Sequence, residues 1–154
     1  MIRYSSEVTI ARPPNVVFEA LLDPELLERW TPMTETHLDA DGPVGVGTRG
    51  GFRMVSGPLQ GLYTMEVAEL EQDRRLVMKV ASAKMDWTAV STLVPAGTGT
   101  RLTYAGEIQV RGLLRLLEPF MAGEAQRGEA KEAERLKALL EAERTPAAGL
   151  PPAG

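Results

Sequence analysis

The chain has 154 residues, 44% hydrophobic and 25% charged, with a formal net charge of −4, the profile of one soluble globular domain. That acidic balance argues against a nucleic-acid binder, which needs a basic face to neutralise phosphates, and no apolar run reaches the roughly 18 residues of a membrane-spanning helix. Cysteine is absent and His37 is the single histidine, which excludes disulfides, thiolate chemistry and multi-histidine zinc sites.

In chain order, Ile2, Tyr4, Ser6, Val8 and Ile10 alternate with polar neighbours and predict a half-buried strand over residues 2–11. Pro13-Pro14 ends it and opens a short helix over Asn15–Leu22. Asp23 then reads as an N-cap with Pro24 at the first position of a second short helix, to about Trp30. From residue 33 to 111 the pattern is strands and turns. Thr34–Asp39 is a weak strand carrying His37, and Val46–Val55 is a strand with Val46, Thr48, Phe52 and Met54 inward and Arg49 and Arg53 outward. Gly50-Gly51 within it predicts a bulge or sharp bend. Tyr63, Met65 and Val67 share one face of the next strand, followed by Leu76, Met78 and Val80. The clearest hairpin pairs Met85, Trp87, Ala89, Ser91 and Leu93 with Leu102, Tyr104, Gly106, Ile108 and Val110. Short connections between successive strands imply an antiparallel sheet of six or seven strands.

Leu113–Glu143 predicts one long helix, roughly 46 Å at 1.5 Å per residue. Its stripe is Leu113, Leu114, Leu117, Met121, Ala125, Gly128, Glu132, Leu136 and Leu139. The ends of that stripe are bulky, and the middle is Ala125, Gly128 and Glu132. Thinning the middle sacrifices helix propensity at Gly128. Either a ligand takes the space or another backbone or large side chain approaches closely.

Three phrases resemble one family. EVTIARPPNVVFEALLDPELLERW has its strand, Pro-Pro, short helix, Asp-Pro and tryptophan-ending second helix. GVGTRGGFRM is similar to its third strand, and LVPAGTGTRLTYAGEIQVRGLLRLLEPFM to its hairpin turn, last strand and helix entry. The family is the START-related polyketide cyclase/dehydrase and lipid-transport superfamily, often labelled SRPBCC. The resemblance implies the α+β helix-grip fold over residues 1–143: a curved antiparallel sheet wrapped around a long C-terminal helix, with two short helices after the first strand. Residues 144–154 then form a disordered Pro/Ala/Gly-rich tail. The resemblance also implies a deep apolar cavity between sheet and helix, used for hydrophobic ligands, while some relatives bind a partner protein through the outer surface.

Inward parity and the helix stripe place Phe52, Tyr63, Met65, Trp87, Ser91, Tyr104, Met121, Ala125, Gly128 and Glu132 around such a cavity. Tyr and Trp join an apolar body to one polar handle, the mix that orients small ligands, although Tyr63, Trp87 and Tyr104 also suit a plain aromatic core. A carboxyl at Glu132 would be costly to bury unpaired or would have its pKa raised by desolvation. It would then act as a hydrogen-bond donor or general acid, or else sit at a pocket mouth or pair with arginine. The rest of the Glu129–Arg135 run reads as a solvated face. His37 reads as exposed. No GxSxG elbow and no GxxxxGK loop is present, so no catalytic residue is assigned and no cofactor or metal is expected.

The leading expectation is a cytoplasmic protein, monomeric or homodimeric, that binds a small hydrophobic, lipid- or polyketide-like ligand. A polyketide cyclase or dehydratase using Tyr63, Tyr104 or Glu132 as proton donor is the alternative, and a protein-interaction module of the same fold is the third.

Overall fold

The computed structural model of the chain describes residues 1–55 and 57–149, with side chains described through Glu143. The elements run β1 (Ile2–Ile10), α1 (Pro14–Leu22), α2 (Pro24–Trp30), β2 (Met33–Asp39), β3 (Arg49–Met54), β4 (Gly61–Glu71), β5 (Arg75–Ala81), β6 (Met85–Ala96), β7 (Gly99–Val110), a 3₁₀ segment (Gly112–Leu117) and α3 (Glu118–Gly149). The seven strands form one sheet in the order β1-β7-β6-β5-β4-β3-β2, every neighbour antiparallel. This is the helix-grip architecture. Among the described residues no helix is long and apolar enough to cross a membrane.

Period-two alternation explains the sheet. Tyr4 and Ile10 on β1, Trp87 and Leu93 on β6, and Leu102 and Tyr104 on β7 are all buried on the concave face. The β6–β7 hairpin holds its register from Met85↔Val110 to Ala96↔Gly99, and β1 closes on β7 with Tyr4 opposite Gly106. Asp23 caps α2 as expected, its carboxylate accepting from the Glu25 N–H at 2.9 Å and the Leu26 N–H at 3.4 Å. The indole of Trp30 donates to the Ala20 carbonyl at 3.1 Å, which locks α2 against α1.

Two local expectations need correction. The third strand begins at Arg49; Val46 lies in the preceding turn and is exposed. The irregularity expected at Gly50-Gly51 belongs to the partner strand, because β2 carries one extra residue between Thr34 and His37 and Glu35 there has φ +51°. The β3 glycines admit that bulge: a Cβ on Gly50 would lie 2.0 Å from the His37 carbonyl oxygen.

The long helix also starts later than its stripe predicts. Gly112 turns the chain at φ +65°, and Gly112–Leu117 winds as a 3₁₀ segment, with three residues per turn rather than 3.6. The leucines therefore fall out of phase with α3, and Leu113 is 86% exposed. From Glu118 the helix is continuous through Gly123 and Gly128. Its buried face is Glu129, Glu132, Ala133, Leu136 and Leu140, so Glu129 is not part of a solvated surface. The helix runs to Gly149, past the expected boundary at residue 144, and the remainder of the expected tail, 150–154, lies outside the described residues.

α3 lies along β1, the edge strand of the sheet. Lys137 donates to the Thr9 carbonyl at 2.7 Å, and Glu141 accepts the Ala11 N–H at 2.8 Å. Apolar packing concentrates at the C-terminal end of the helix, around Leu136 and Leu140.

Candidate functional site

The N-terminal half of α3, fastened to the β1 edge through Gln126, borders a cavity of about 530 Å³. Ile2, Met85 and Ile108 form its sheet wall, Met54 and Leu59 close one side, and Phe120, Met121 and Ala125 border it from the helix. Gly128 lines the same space, and apart from its own helical backbone no atom lies within 4 Å of where its Cβ would be. Close approach of a neighbouring group is therefore not the reason for this glycine. A second, smaller apolar cavity of about 50 Å³ lies deeper, bordered by Leu27, Trp30, Met65, Ser91 and Tyr104. Met33 and Trp87 line both spaces and so separate them.

The residues singled out in the sequence divide among these spaces. Trp87, Met121, Ala125, Gly128 and Glu132 line the larger cavity, and Met65, Ser91 and Tyr104 line the smaller one. Phe52 and Tyr63 stay outside both walls: their rings stack at 5.1 Å and 3°, and the Tyr63 hydroxyl is committed to the Leu59 carbonyl. Strand parity correctly turns them inward, and their strands do reach the cavities through Met54 of β3 and Met65 of β4, but the Phe52 and Tyr63 rings pack against each other instead.

The polar end of the cavity is built by four elements, β1, β6, β7 and α3. On the sheet, Trp87 Nε1 donates to the Tyr4 hydroxyl at 2.8 Å. Gly106 makes that possible, because a Cβ there would sit 2.5 Å from the Tyr4 oxygen. Tyr104 lies beside Tyr4, ring centroids 6.1 Å apart, and meets Trp30 edge-on at 5.7 Å. Glu129 and Glu132 face this cluster from α3, exposed by only 8% and 7%.

Burial pushes the Glu129 carboxyl up. Burial and then the charge of Glu129 push Glu132 up, with Arg135 pulling weakly the other way. Burial first, and the two glutamates after it, also raise the Tyr104 hydroxyl, while burial and then Glu129 raise that of Tyr4. Like charges in a desolvated space cannot both ionise cheaply, so the pair retains a proton near neutral pH. Glu129 and Tyr4 are additions to the residues read from the sequence. The usable signal was the i,i+3 spacing of Glu129 and Glu132, which puts both carboxyls on one helix face.

The outer face of the sheet carries a different feature, a groove of about 690 Å³. His37, Arg49 and Lys79 alternate there with Asp39, Glu66 and Asp86, and His37 is exposed. Among the described residues no group of three or more His, Asp or Glu is arranged to hold a metal ion.

The model of the polyketide cyclase / dehydrase and lipid transport family matches residues 1–141. The chain belongs to that family. No protein with a curated description matches it. Solved structures are similar in fold. Protein TTHA0849 from Thermus thermophilus superposes with a TM-score of 0.72 at 18% identity, covering 92% of this chain and 98% of that one. Protein NE0264 from Nitrosomonas europaea gives 0.70 at 23% identity, covering 94% and 97%. DynU16, a protein of the dynemicin biosynthetic locus, gives 0.65 at 22% identity and covers 92% of this chain but 48% of its own. Family membership accounts for the helix-grip frame.

Proposed function

We propose that this protein binds one small, largely apolar molecule in the cavity between the sheet and α3. The observation that carries this reading is the void at Ala125 and Gly128. A helix that elsewhere packs with Leu136 and Leu140 is thinned to small residues where it borders about 530 Å³ of apolar space. Cavities of this size with a few convergent polar groups are the usual form of ligand sites. The family's description, polyketide cyclase / dehydrase and lipid transport, points the same way. Native mass spectrometry after exposure to a mixture of apolar compounds tests it. A one-to-one adduct on the wild type that is lost in Gly128→Leu is expected, and absence of any retained adduct would refute the reading.

The protonated carboxyl pair favours one further possibility, acid catalysis on the bound molecule as in a cyclase or dehydratase. In that reading the Glu132 carboxyl donates to a carbonyl oxygen of the ligand and Glu129 takes up the proton afterwards. Turnover of a poly-β-keto substrate that is abolished in Glu132→Gln, with binding retained, supports it; binding without turnover in the wild type excludes it.

A further inference from the structure

We infer that the ligand is an apolar molecule carrying a single protonated amine, its cationic head against Glu129 and Glu132 and its hydrocarbon body along Met121 and Ala125. This rests on the reading of the cavity as a ligand site and adds the chemical class of its occupant.

Among the described residues, the polar side chains in the cavity wall are Trp87, Glu124, Glu129 and Glu132. Two of them are already engaged: Trp87 donates its N–H to Tyr4 at 2.8 Å, and Glu124 accepts from Arg127 at 2.6 Å. What remains for a ligand is the pair of carboxyls, which interact with each other and, through Glu129, with the Tyr104 hydroxyl, with no lysine, arginine or histidine in the described wall. The Oε2 atom of Glu129 is buried and has no hydrogen-bond partner. A buried acceptor without a donor is costly, more so when charged.

Three head groups compete for that end of the cavity. A ligand carboxylate would bring a further negative charge into a desolvated space that already holds one. A neutral carbonyl would accept the proton of Glu132 and leave Glu129 Oε2 bare. An ammonium supplies three donors and the opposite charge, so it satisfies both glutamates at once. The facing groups agree. Tyr4 from β1 and Tyr104 from β7 are neutral phenols, and the cation that acts on Glu132, Arg135, is exposed on α3 itself.

Octylamine, octanol and octanoate separate the possibilities, since they share a chain and differ in the head. Calorimetry on the full chain at neutral pH should find octylamine binding at least about tenfold more tightly than octanol, the ratio expected of one buried charge-assisted hydrogen bond, and octanoate weakest. Octylamine binding should also release protons from the glutamate pair, visible as a dependence of the heat on buffer ionisation, while octanol releases none. The double variant Glu129→Gln with Glu132→Gln should bind octylamine and octanol alike, its retained octanol binding showing that the cavity is intact. Equal or tighter binding of octanol or octanoate by the wild type, or an amine preference that survives in the double variant, overturns the inference and leaves the cavity reading standing. Failure of all three compounds to bind overturns both.

Discussion

Gln126 on α3 grips both backbone groups of Ser5 on β1. Its Oε1 accepts the Ser5 N–H at 3.1 Å, and its Nε2 donates to the Ser5 carbonyl at 2.8 Å. Ser5 shares parity with Thr9 and Ala11, whose backbone groups bond to Lys137 and Glu141. Every second residue of an edge strand directs its N–H and C=O away from the sheet. One helix thus supplies, through side chains, partners that a further strand would have given. Replacing Gln126 by Ala should lower stability by about 1 kcal/mol, the net worth of such bonds at a partly exposed site. Chemical denaturation would show this as a shifted midpoint with an unchanged slope. An unmoved midpoint would mean that the edge is not held this way.

The buried glutamates make stability depend on pH. Their folded-state pKa values stand above the ordinary 4.5, Glu129 at about 7 and Glu132 at about 9. A raised carboxyl pKa means that the folded state binds more protons than the unfolded one, so stability falls as pH rises. The decline should begin above pH 4.5 and continue through those two values. Glu132→Gln should flatten the profile and exceed the wild type at pH 9 by about 1 kcal/mol or more. A wild-type profile that rises over that interval would contradict the buried pair.

Gly128→Leu should stabilise the free protein. Leucine is the better helix former by roughly 0.8 kcal/mol, and beyond the helix's own backbone no atom stands within 4 Å of the new Cβ. The same side chain would occupy the cavity next to Trp87. A higher melting temperature with loss of ligand-induced fluorescence change is the expected pair of results; a lower melting temperature would show that the space is not free.

Gly106→Ala should do the opposite. Its Cβ would meet the Tyr4 hydroxyl at 2.5 Å and the Thr88 carbonyl oxygen at 2.7 Å, and the second of these is backbone that cannot step aside. Overpacking of this kind costs about 1–3 kcal/mol. It should also break the bond between Trp87 and Tyr4, so the indole emission should change along with the thermal midpoint. An unchanged midpoint and spectrum would mean that the strand absorbs the methyl group.

Much of the frame is local information. Alternation along Ile2–Ile10, Met85–Leu93 and Leu102–Val110 states which side of each strand is buried, because a one-residue slip would expose every apolar side chain of that face. Asp23-Pro24 states where α2 begins, because a cap acts on the N–H groups of its own first turn. The thinned stretch of α3 is equally legible at Ala125 and Gly128, since a missing side chain is visible in the sequence itself. Other features depend on distance in the chain. That Glu129 faces Tyr4 and Tyr104 follows from how α3 is laid along β1, an alignment set by Gln126 and Lys137 reaching backbone groups more than a hundred residues away. That Leu113 lies outside the stripe follows from the 3₁₀ winding of Gly112–Leu117, whose three residues per turn put it out of phase with α3. That Phe52 and Tyr63 miss the cavity follows from their stacking on each other across β3 and β4, a pairing that periodicity along a single strand does not encode. Residue patterning determined which faces are apolar and where the helix lacks bulk; only the packing of helix on sheet decided which polar groups meet there, because burial and like charge act through space rather than along the chain.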